Sequence, residues 1–375
     1  MSDTALNNLS KGIDTVDYST LLLDPQNPRL PEDFTRTIKK NNDKEHSQEE
    51  LLKHLYETGR LDEIARSYLQ NGFFKSEPLI ALKDGIVIEG NRRLAALKFL
   101  LHDDTAISAG LDEYETDEPI TEEQKNRLLN IPVIFVDSRE EVSAYLGYRH
   151  INGLKEWEPA SKARYIYGRV QHYAQKNTAT AFSKVGRETG GNARGVRNSY
   201  IQYSLLRLAR DENGLYDLAT QVLRERFGVW QRVTSGKVYE YINFDDSAQS
   251  LDDINSALQK VDFDKFESLL HDLCSSSRNQ KPLLPDSRKA SVYGDILSNP
   301  EALKVLRDTG DFETAEYIAK GSPVNSMLNR VQSMLYTVQN QIVGDVKTDN
   351  QTRVLIEQIN KSVIMIKAVI NQGEN

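Results

Sequence analysis

Two adjacent arginines stand where a short apolar strand turns into a helix. Residues 86–88 form a β-branched run that predicts the strand, Gly90 ends it, and Asn91 can serve as N-cap of the helix that follows. Arg92 and Arg93 fall in the first turn of that helix, where the helix dipole disfavours cations. Arginine forks beside unpaired helix amides are typical of a phosphate site. The sequence therefore predicts an anionic ligand here, and two solvated surface arginines are the alternative.

Length and composition limit the classes of function. A chain of 375 residues, 39% of them hydrophobic, is typical of a globular protein with roughly two or three domains. The single cysteine, Cys274, excludes an intramolecular disulfide and a cysteine-based metal site. The sequence has neither an apolar stretch of membrane-spanning length nor the pattern of a signal peptide at its N-terminus. We therefore expect a cytoplasmic protein with no membrane partner.

Strand and helix signals alternate over the first 160 residues, after a polar and loose segment at residues 1–17. Asp84 and Gly85 predict a hairpin turn. The acidic stretch 102–128 lacks an apolar period and is interpreted as a solvated loop. Strands are predicted at residues 18–23, 78–82, 86–88 and 131–136, and helices at residues 48–56 and 61–70 and from Asn91, Ser138 and Ala160 onward.

Three further stretches accompany the double arginine. Residues 24–29 read Asp-Pro-Gln-Asn-Pro-Arg, a turn in which two prolines restrict the backbone and place Arg29 at the end of a rigid loop. A helix signal stops at Gly72, and Pro78 opens the next strand. Residues 149–159 read Arg-His-Ile-Asn-Gly-Leu-Lys-Glu-Trp-Glu-Pro.

In this order the four stretches resemble the N-terminal domain of the ParB/sulfiredoxin superfamily. Residues 24–29 resemble its Asn-Pro-x-x-Pro-Arg box, residues 64–80 its helix-Gly-Pro-strand unit, and residues 89–96 its Gly-Glu-Arg-Arg-x-Arg-Ala box. Residues 149–159 occupy the place of its Glu-Asn-x-Gln-Arg box. The likeness covers about residues 18–210. It implies an α+β fold, with a small ParB/sulfiredoxin-like mixed sheet and helices followed by an all-α remainder.

The resemblance implies a pocket for a nucleoside triphosphate, CTP or ATP, with Mg²⁺. The double-arginine turn would hold the phosphates, the Pro-Arg loop would close one side, and the last box would complete the site. Glu89 is the expected metal ligand, and no catalytic residue is assigned. Carried over residue by residue, the nucleotide-binding set is Arg29, Glu89, Gly90, Asn91, Arg92, Arg93, Arg149, His150, Asn152 and Gly153.

Departures from the family pattern affect the expected chemistry. Asn91 stands where the family has Glu in its second box, and His150 lies near the place of the Glu-Asn pair of the third. Because those acidic residues help to place metal and water in ParB-type CTPases, we expect nucleotide binding with at most weak hydrolysis, and no preference for cytosine is implied. Sulfiredoxin chemistry needs a cysteine in the second box, where this chain has none. Both His150 and Trp157 also have an alternative, structural interpretation. His150 can be a buried histidine whose hydrogen bonds are satisfied within the protein, and Trp157 can be a core residue between helices.

Residues 161–210 are strongly basic in an acidic chain. They hold ten Lys or Arg residues and one acidic residue, Glu188, whereas the whole chain carries a formal charge of −8. Such segregation is typical of a polyanion-binding module, and an ordinary basic helical linker is the alternative. Residues 182–200 have helix-turn-helix spacing, in which Gly186 permits a close helix crossing and Gly190 makes the turn. The residues expected to contact DNA are Lys184, Arg187, Arg194, Arg197, Asn198 and Tyr200.

The last part of the chain carries two apolar stripes with heptad-like spacing. A turn at residues 344–351 would join the two helices into a helical hairpin or coiled-coil arm, and we expect a homodimer assembled at least partly through residues 324–371. Packing onto the protein's own helical domain and binding of a second protein are the alternatives. The stripes are Leu328, Val331, Leu335, Val338 and Ile342, and then Ile356, Ile359, Val363, Ile366 and Ile370.

These features predict a ParB-like, nucleotide-binding and DNA-associated regulator or sensor, of a plasmid- or phage-related system or of anti-phage defence. The alternatives are an enzyme on the same fold, such as a nuclease, NTPase or kinase, and a protein-protein adaptor with a degenerate pocket. A nuclease would need clustered metal ligands, and only Glu89 and His150 lie near the expected pocket. The predicted segments are residues 1–17, 18–160, 161–210, 211–320 and 321–375.

Overall fold

The structure is a computed structural model in which the chain folds as an α+β protein with one five-stranded sheet. It divides into two compact units, residues 1–294 and 295–375. The finer division into five segments stays a prediction. The structure describes residues 12–32, 34–35, 44–116, 119–151, 157–274, 281–321, 324–343 and 350–372.

The sheet belongs to the first unit and has the strand order β1-β5-β3-β4-β2. The pairs β5–β3 and β4–β2 are parallel, whereas β1–β5 and β3–β4 are antiparallel. The strands predicted at residues 78–82, 86–88 and 131–136 are confirmed. The five strands are β1 (Asp14–Asp17), β2 (Leu22–Leu23), β3 (Leu79–Leu82), β4 (Ile86–Glu89) and β5 (Asn130–Val136).

The predicted strand at residues 18–23 is mostly wrong. Tyr18–Thr20 forms a 3₁₀ turn, because the Asp17 carboxylate accepts hydrogen bonds from the backbone N–H and the hydroxyl of Ser19 at 2.9 and 2.8 Å. The expectation of a loose segment at residues 1–17 is also wrong for its last part, which forms β1 and pairs with β5. The hairpin turn is confirmed, since Gly85 has a φ of 87° and its N–H donates to the Leu82 carbonyl at 2.9 Å.

Helices cover both faces of this sheet. The larger core packs helices on the face that carries Leu79, Ala81 and Val87, and a smaller core forms on the opposite face around Ile80 and Ile88. The predicted helices are confirmed, with bounds that differ by up to a few residues. The first six helices are α1 (Lys44–Gly59), α2 (Leu61–Asn71), α3 (Asn91–Leu100), α4 (Asp104–Ser108), α5 (Glu122–Leu129) and α6 (Arg139–Ile151).

The interpretation of residues 102–128 as a solvated loop is wrong in part, because α4 and most of α5 lie there. Local caps explain both helices. The Asp103 carboxylate accepts the N–H of Ala106 at 3.1 Å, and Thr121 and Gln124 form a capping box. Leu128 of α5 is fully buried in the larger core. The many acidic residues of this stretch therefore obscured the sequence signal of two short capped helices.

After residue 157 the described chain is helical, as predicted for the remainder. Trp230, Tyr200 and Phe266 are among its most deeply buried side chains. In the first unit the helices are α7 (Pro159–Ala174), α8 (Ala181–Thr189), α9 (Ala193–Glu212), α10 (Tyr216–Gln221), α11 (Phe227–Val233), α12 (Gly236–Tyr241), α13 (Leu251–Leu258) and α14 (Phe263–Leu273).

Helix α15 (Ala290–Leu297) spans the boundary between the two units. The second unit continues with α16 (Pro300–Thr309), α17 (Phe312–Ala319), α18 (Val324–Val343) and α19 (Asn350–Gln372). Across the described ranges, every helix is too short or too polar to cross a lipid bilayer.

Candidate functional site

One cavity of about 790 Å³ collects residues from all four sequence motifs, including Ile64 and Glu77 from the helix-Gly-Pro-strand unit. The Pro-Arg loop contributes residues 27–29, the β4–α3 turn contributes residues 88–93, and the last two turns of α6 contribute Tyr145, Tyr148, Arg149 and His150. Its volume lies within the range of typical small-ligand sites, about 300–1,000 Å³. Asn152 and Gly153, which were also assigned to this site, lie outside the described residues.

The β4–α3 turn depends on Gly90. Gly90 is the N-cap of α3 and has a φ of 101°, which a residue with a side chain rarely adopts. A Cβ atom there would lie 2.3 Å from Cδ2 of Leu79 and 3.0 Å from Nη2 of Arg93. The glycine thus lets the backbone turn sharply from strand to helix and brings the first amides of α3 to the cavity wall.

The prediction that Asn91 caps the helix is wrong, because Asn91 is the first helical residue and Gly90 takes the cap position. The Asn91 side chain is buried. Its Oδ1 accepts the backbone N–H of Asp24 at 2.7 Å, and its Nδ2 donates to the Val87 carbonyl at 2.6 Å. Asn91 therefore ties the Pro-Arg loop to β4. Its backbone N–H, which has no intrahelical acceptor, is the group that can face a ligand.

The two arginines of the turn have different partners. Arg92 donates from Nε to the Gly59 carbonyl at 2.8 Å, and from Nη2 to the same oxygen, so it caps the C-terminus of α1. Arg93 donates to the Glu77 carbonyl, and its Nη1 lies 3.8 Å from the Glu77 carboxylate. Each guanidinium carries five N–H donors, more than these contacts use. Burial, together with the charge of Arg92, lowers the pKa of Arg29, which also lines the cavity.

A buried carboxylate lies among these cations. His150 Nε2 is 2.8 Å from Glu89 Oε2, and Arg149 Nε is 3.6 Å from Glu89 Oε1. Burial by itself raises the pKa of Glu89, but the hydrogen bond and charge of His150, with the charges of Arg93 and Arg149, outweigh it, so the pKa falls below its ordinary 4.5. Glu89 is therefore ionised at neutral pH. His150 also stacks on Trp157, with ring centroids 4.8 Å apart, so both residues have the structural partners that the alternative interpretation expected.

Contacts from distant residues hold the Pro-Arg loop in place. Arg139 of α6 donates hydrogen bonds from both Nη atoms to the two oxygens of the buried Asp24 carboxylate, one of them at 2.7 Å. Arg164 of α7 donates to the carbonyls of Pro28 and Leu30 at 2.9 and 2.8 Å. Sequence reasoning missed Asp24, Arg139 and Arg164, although the position of Asp24 at the start of the box was a usable signal. The sequence carries no signal for Arg139 or Arg164, since their partners lie more than a hundred residues away.

A second cavity of about 870 Å³ shares Arg29 with the first. Glu32 in its wall accepts two hydrogen bonds from Arg210, both at 3.0 Å, and one from the Tyr203 hydroxyl. Its lining also includes several other carboxylates, which oppose a polyanion. These are Glu50, Glu57 and Glu158. The larger cavity thus has four carboxylates beside five Lys or Arg residues, whereas the smaller has two carboxylates beside four arginines, so the smaller cavity is the better candidate for a phosphate ligand.

Metal binding has little support from protein ligands alone. Among the described residues, no group of three or more His, Cys, Asp or Glu side chains is arranged to hold a metal ion. Glu89, the predicted ligand, already faces His150 and Arg149. A Mg²⁺ ion at Glu89 would need phosphate oxygens and water to complete its coordination.

Helices α8 and α9 form the predicted helix-turn-helix arrangement. Gly190 ends α8 with a φ of 71°, and Asn192 caps α9 by accepting the N–H of Gly195 at 2.8 Å. A Cβ atom on Gly186 would lie 3.0 Å from the carbonyl carbon of Asn192, so a small residue is needed where the helices cross. The roles predicted for Gly186 and Gly190 are confirmed.

The predicted DNA-contacting residues divide between two faces. Arg187, Arg194 and Asn198 are exposed, and Lys184 is half-buried beside the Tyr173 ring. Because residues 194 and 198 are one helical turn apart, they share a face of α9. The surface that remains for a nucleic acid is therefore narrower than the sequence predicted.

The expectation that Arg197 and Tyr200 project outward is wrong. Arg197 is 8% exposed and donates to the carbonyls of Ala248 and Asp246 at 2.9 and 2.8 Å. Tyr200 is 2% exposed, and its hydroxyl accepts from Gln171 at 2.7 Å and donates to Asn255. Both side chains lie on the face of α9 that packs against the rest of the first unit.

Most arginines of residues 161–210 serve the fold. Arg169 pairs with Glu140 and Glu188, and Arg210 with Glu32 and Asp211. Arg164 and Arg197 donate to backbone carbonyls. Much of the basic excess counted along the chain is thus held in internal ion pairs and hydrogen bonds, and it is a weaker sign of polyanion binding than the sequence indicated.

Comparisons with protein-family models, with curated proteins and with solved structures found no match for this chain. The ParB/sulfiredoxin resemblance therefore stays an interpretation of four short motifs. A function for this chain must be inferred from the residues and geometry of its own sites.

Proposed function

We propose that this chain is a ParB-like regulator or sensor that binds a nucleoside triphosphate in the 790 Å³ cavity and DNA through α8 and α9. We include in this proposal a ParB/sulfiredoxin-like arrangement of the sheet and its helices. The observation that carries it is the convergence of four separate sequence motifs on one cavity. Surface arginines without a common function would be expected to lie scattered over the surface, whereas these come from distant parts of the sequence and line one cavity.

The charge arrangement supports a polyanion as ligand. Arg29, Arg92, Arg93 and Arg149 line the cavity, together with two carboxylates, Glu77 and the buried, ionised Glu89. The N-terminus of α3 opens onto the same space and adds the positive end of its dipole. A triphosphate would relieve the repulsion among these guanidiniums, and Mg²⁺ would allow it to approach Glu89.

A packed path joins the cavity to the helix-turn-helix. Helix α6 carries Arg149 and His150 at one end, and its Gly147 packs against α8, where an added Cβ atom would lie 3.3 Å from Cγ2 of Thr189. Arg169 bridges Glu140 of α6 and Glu188 of α8. A ligand that favours one position of α6 would therefore also favour one position of α8 and change the engagement of DNA or a partner.

Titration calorimetry with CTP, ATP, GTP and ADP, each with and without Mg²⁺ and DNA, tests the proposal. We expect one triphosphate to bind more tightly than the diphosphate, because each additional charged phosphate meets arginine donors. Phosphate release in the same samples measures weak NTP hydrolysis. If none of the four nucleotides binds at millimolar concentration under any condition, the proposed nucleotide function is wrong.

Glu89→Gln should have opposite effects on triphosphate affinity with and without Mg²⁺. Without the metal, the substitution removes a negative charge from the cavity and should strengthen binding about tenfold, the effect of roughly one 1.4 kcal/mol interaction. With Mg²⁺ present, the missing carboxylate can no longer help hold the ion, and binding should weaken by a similar factor. Glu123→Gln is the matched control, since the Glu123 side chain is 84% exposed on α5 outside the cavity. A change of the same sign in both conditions would contradict a metal role for Glu89.

Replacing Arg187 and Arg194 by Ala should weaken DNA binding and reduce its salt dependence. The slope of log affinity against log salt should fall by about one unit for each DNA phosphate that the variant no longer neutralises. The exposed pair Lys176→Ala and Lys83→Ala, outside α8 and α9, serves as control and should leave the slope unchanged. Wild-type protein that fails to bind DNA at low salt, with and without nucleotide, would exclude the helix-turn-helix function.

A protein-protein adaptor with a degenerate pocket is the second candidate. It is favoured by the internal contacts of Asn91 and Arg92, whose side chains bind Asp24, Val87 and Gly59 instead of open solvent. The calorimetric experiment separates the two candidates, because an adaptor of this kind would be folded and would still bind none of the nucleotides.

A further inference from the structure

Helices α18 and α19 carry most of the exposed apolar surface of the described chain. Of the 24 large hydrophobic side chains that are exposed among the described residues, 18 lie on these two helices. Isolated exposed hydrophobic residues are ordinary, but a contiguous apolar surface of this extent marks an interaction site.

The exposed side chains include every member of both predicted stripes. The five stripe residues of α18 are 36–46% exposed, and the five of α19 are 37–52% exposed. The turn predicted at residues 344–351 lies mostly outside the described residues, so the hairpin stays a prediction, but both stripes keep a large exposed apolar area. Leu355, Ile364 and Val369, which lie off the stripe of α19, are more than half exposed as well. Burial of these groups is worth about 25 cal/mol per Å² of apolar area, so leaving them in water is costly.

We propose that a second copy of this chain covers these stripes, and that residues 324–343 and 350–372 of two copies pack as a four-helix bundle. A two-fold axis would bring the same surface of both copies together, so the apolar stripes of each copy would cover those of the other. Two helices from each chain are the number that closes a bundle around one apolar core. The proposal does not depend on nucleotide or DNA binding.

Charge and size both fit a second copy. Arg330 is the charged residue of α18, and neither stripe contains a charged residue, so two identical stripes can meet without burying like charges. On α19, Glu357 and Lys361 fall on the side of the helix opposite the stripe, and Lys367 lies at the edge of the stripe, where its long side chain can keep the charge in water. Each copy would contribute its ten stripe residues, and neighbouring positions of the two helices would complete the roughly 20–30 residues that each partner gives to a specific interface. Such an interface would be strongly apolar, which is typical of permanent homodimers.

Analytical ultracentrifugation of the full chain at micromolar concentrations tests the proposal. We expect a dimer for the wild type. A variant with Ile359→Asp and Ile366→Asp buries two charges in the core of the bundle and should raise the dissociation constant at least a hundredfold. The control is Lys361→Asp with Ala368→Asp, which places the same residues on the opposite side of the same helix and should remain dimeric.

A gentler variant distinguishes a weakened interface from a disrupted helix. Ile359→Ala with Ile366→Ala removes apolar surface but favours helix formation, so it should retain the circular dichroism of the wild type and still weaken the dimer. A wild-type monomer at tens of micromolar would overturn the proposal and leave the chain's own core or a different protein as the occupant. Equal dimer strength in the stripe variants and the control would also overturn it.

Discussion

Arg169→Ala should lower the free energy of unfolding by about 3–5 kcal/mol, the usual cost of removing one partner of a buried ion pair. Arg169 of α7 donates two hydrogen bonds of 2.7 Å to Glu140 and bonds of 2.7 and 3.0 Å to Glu188. The Glu188 side chain is 4% exposed, so the variant leaves a carboxylate in the interior whose remaining partners include the hydroxyls of Tyr165 and Tyr173 but no cation to match Arg169. Glu140 is about half exposed and contributes less, because water replaces part of its missing partner.

Urea unfolding of the wild type, Arg169→Ala and a control measures this effect. The control is Arg127→Ala, whose exposed guanidinium lies 4.0 Å from Glu123 on the surface of α5 and should contribute less than about 1 kcal/mol. Arg169→Lys keeps the positive charge but loses the guanidinium fork that reaches both carboxylates. Its free energy of unfolding should therefore lie between those of Arg169→Ala and the wild type. A decrease below about 1 kcal/mol in Arg169→Ala would show that the pair is not a major link between α6 and α8.

The same comparison should depend on pH. The hydrogen bond from Arg169 lowers the pKa of Glu140 below its ordinary 4.5. A carboxyl whose pKa is lower in the folded state adds stability above the unfolded pKa and loses it as the pH falls through the folded pKa. The stability difference between wild type and Arg169→Ala should therefore be largest near neutral pH and should narrow below about pH 4.5.

Replacing Arg29 and Arg93 together by Ala should weaken triphosphate binding by about two orders of magnitude or more. A hydrogen bond to a charged group contributes about 1.5–3 kcal/mol, and two such bonds correspond to a hundredfold or larger change in affinity. Both of these arginines line the cavity, whereas Arg92 also caps α1 through Gly59. Arg92→Ala should therefore lose stability in addition to affinity.

Calorimetry with the best-binding triphosphate checks this prediction. The matched control is the double variant Arg60→Ala and Arg127→Ala, which removes two exposed arginines that do not line the cavity. Urea unfolding of both double variants establishes that each is folded before its affinity is compared. Unchanged affinity in the Arg29 and Arg93 variant would place the nucleotide elsewhere or exclude it.

Local sequence patterns determined the parts of this protein whose physics is local. The β-branched run before Gly90 and the helix formers after it specify a strand–turn–helix, because the glycine permits the positive φ of the turn. Gly186 and Gly190 specify the helix-turn-helix for similar reasons of space and backbone angle. Heptad spacing also identified the two apolar stripes near the C-terminus.

The tertiary structure decided which charged and polar groups remain available to a ligand. The chain order gives no sign that Arg139 pairs with Asp24, that Arg210 pairs with Glu32, or that Arg197 turns inward. A buried guanidinium must find acceptors wherever the fold places them, and those acceptors lie tens to hundreds of residues away in the sequence. The number of basic residues is therefore a property of the sequence, whereas the positive charge that a phosphate would meet is a property of the packed molecule.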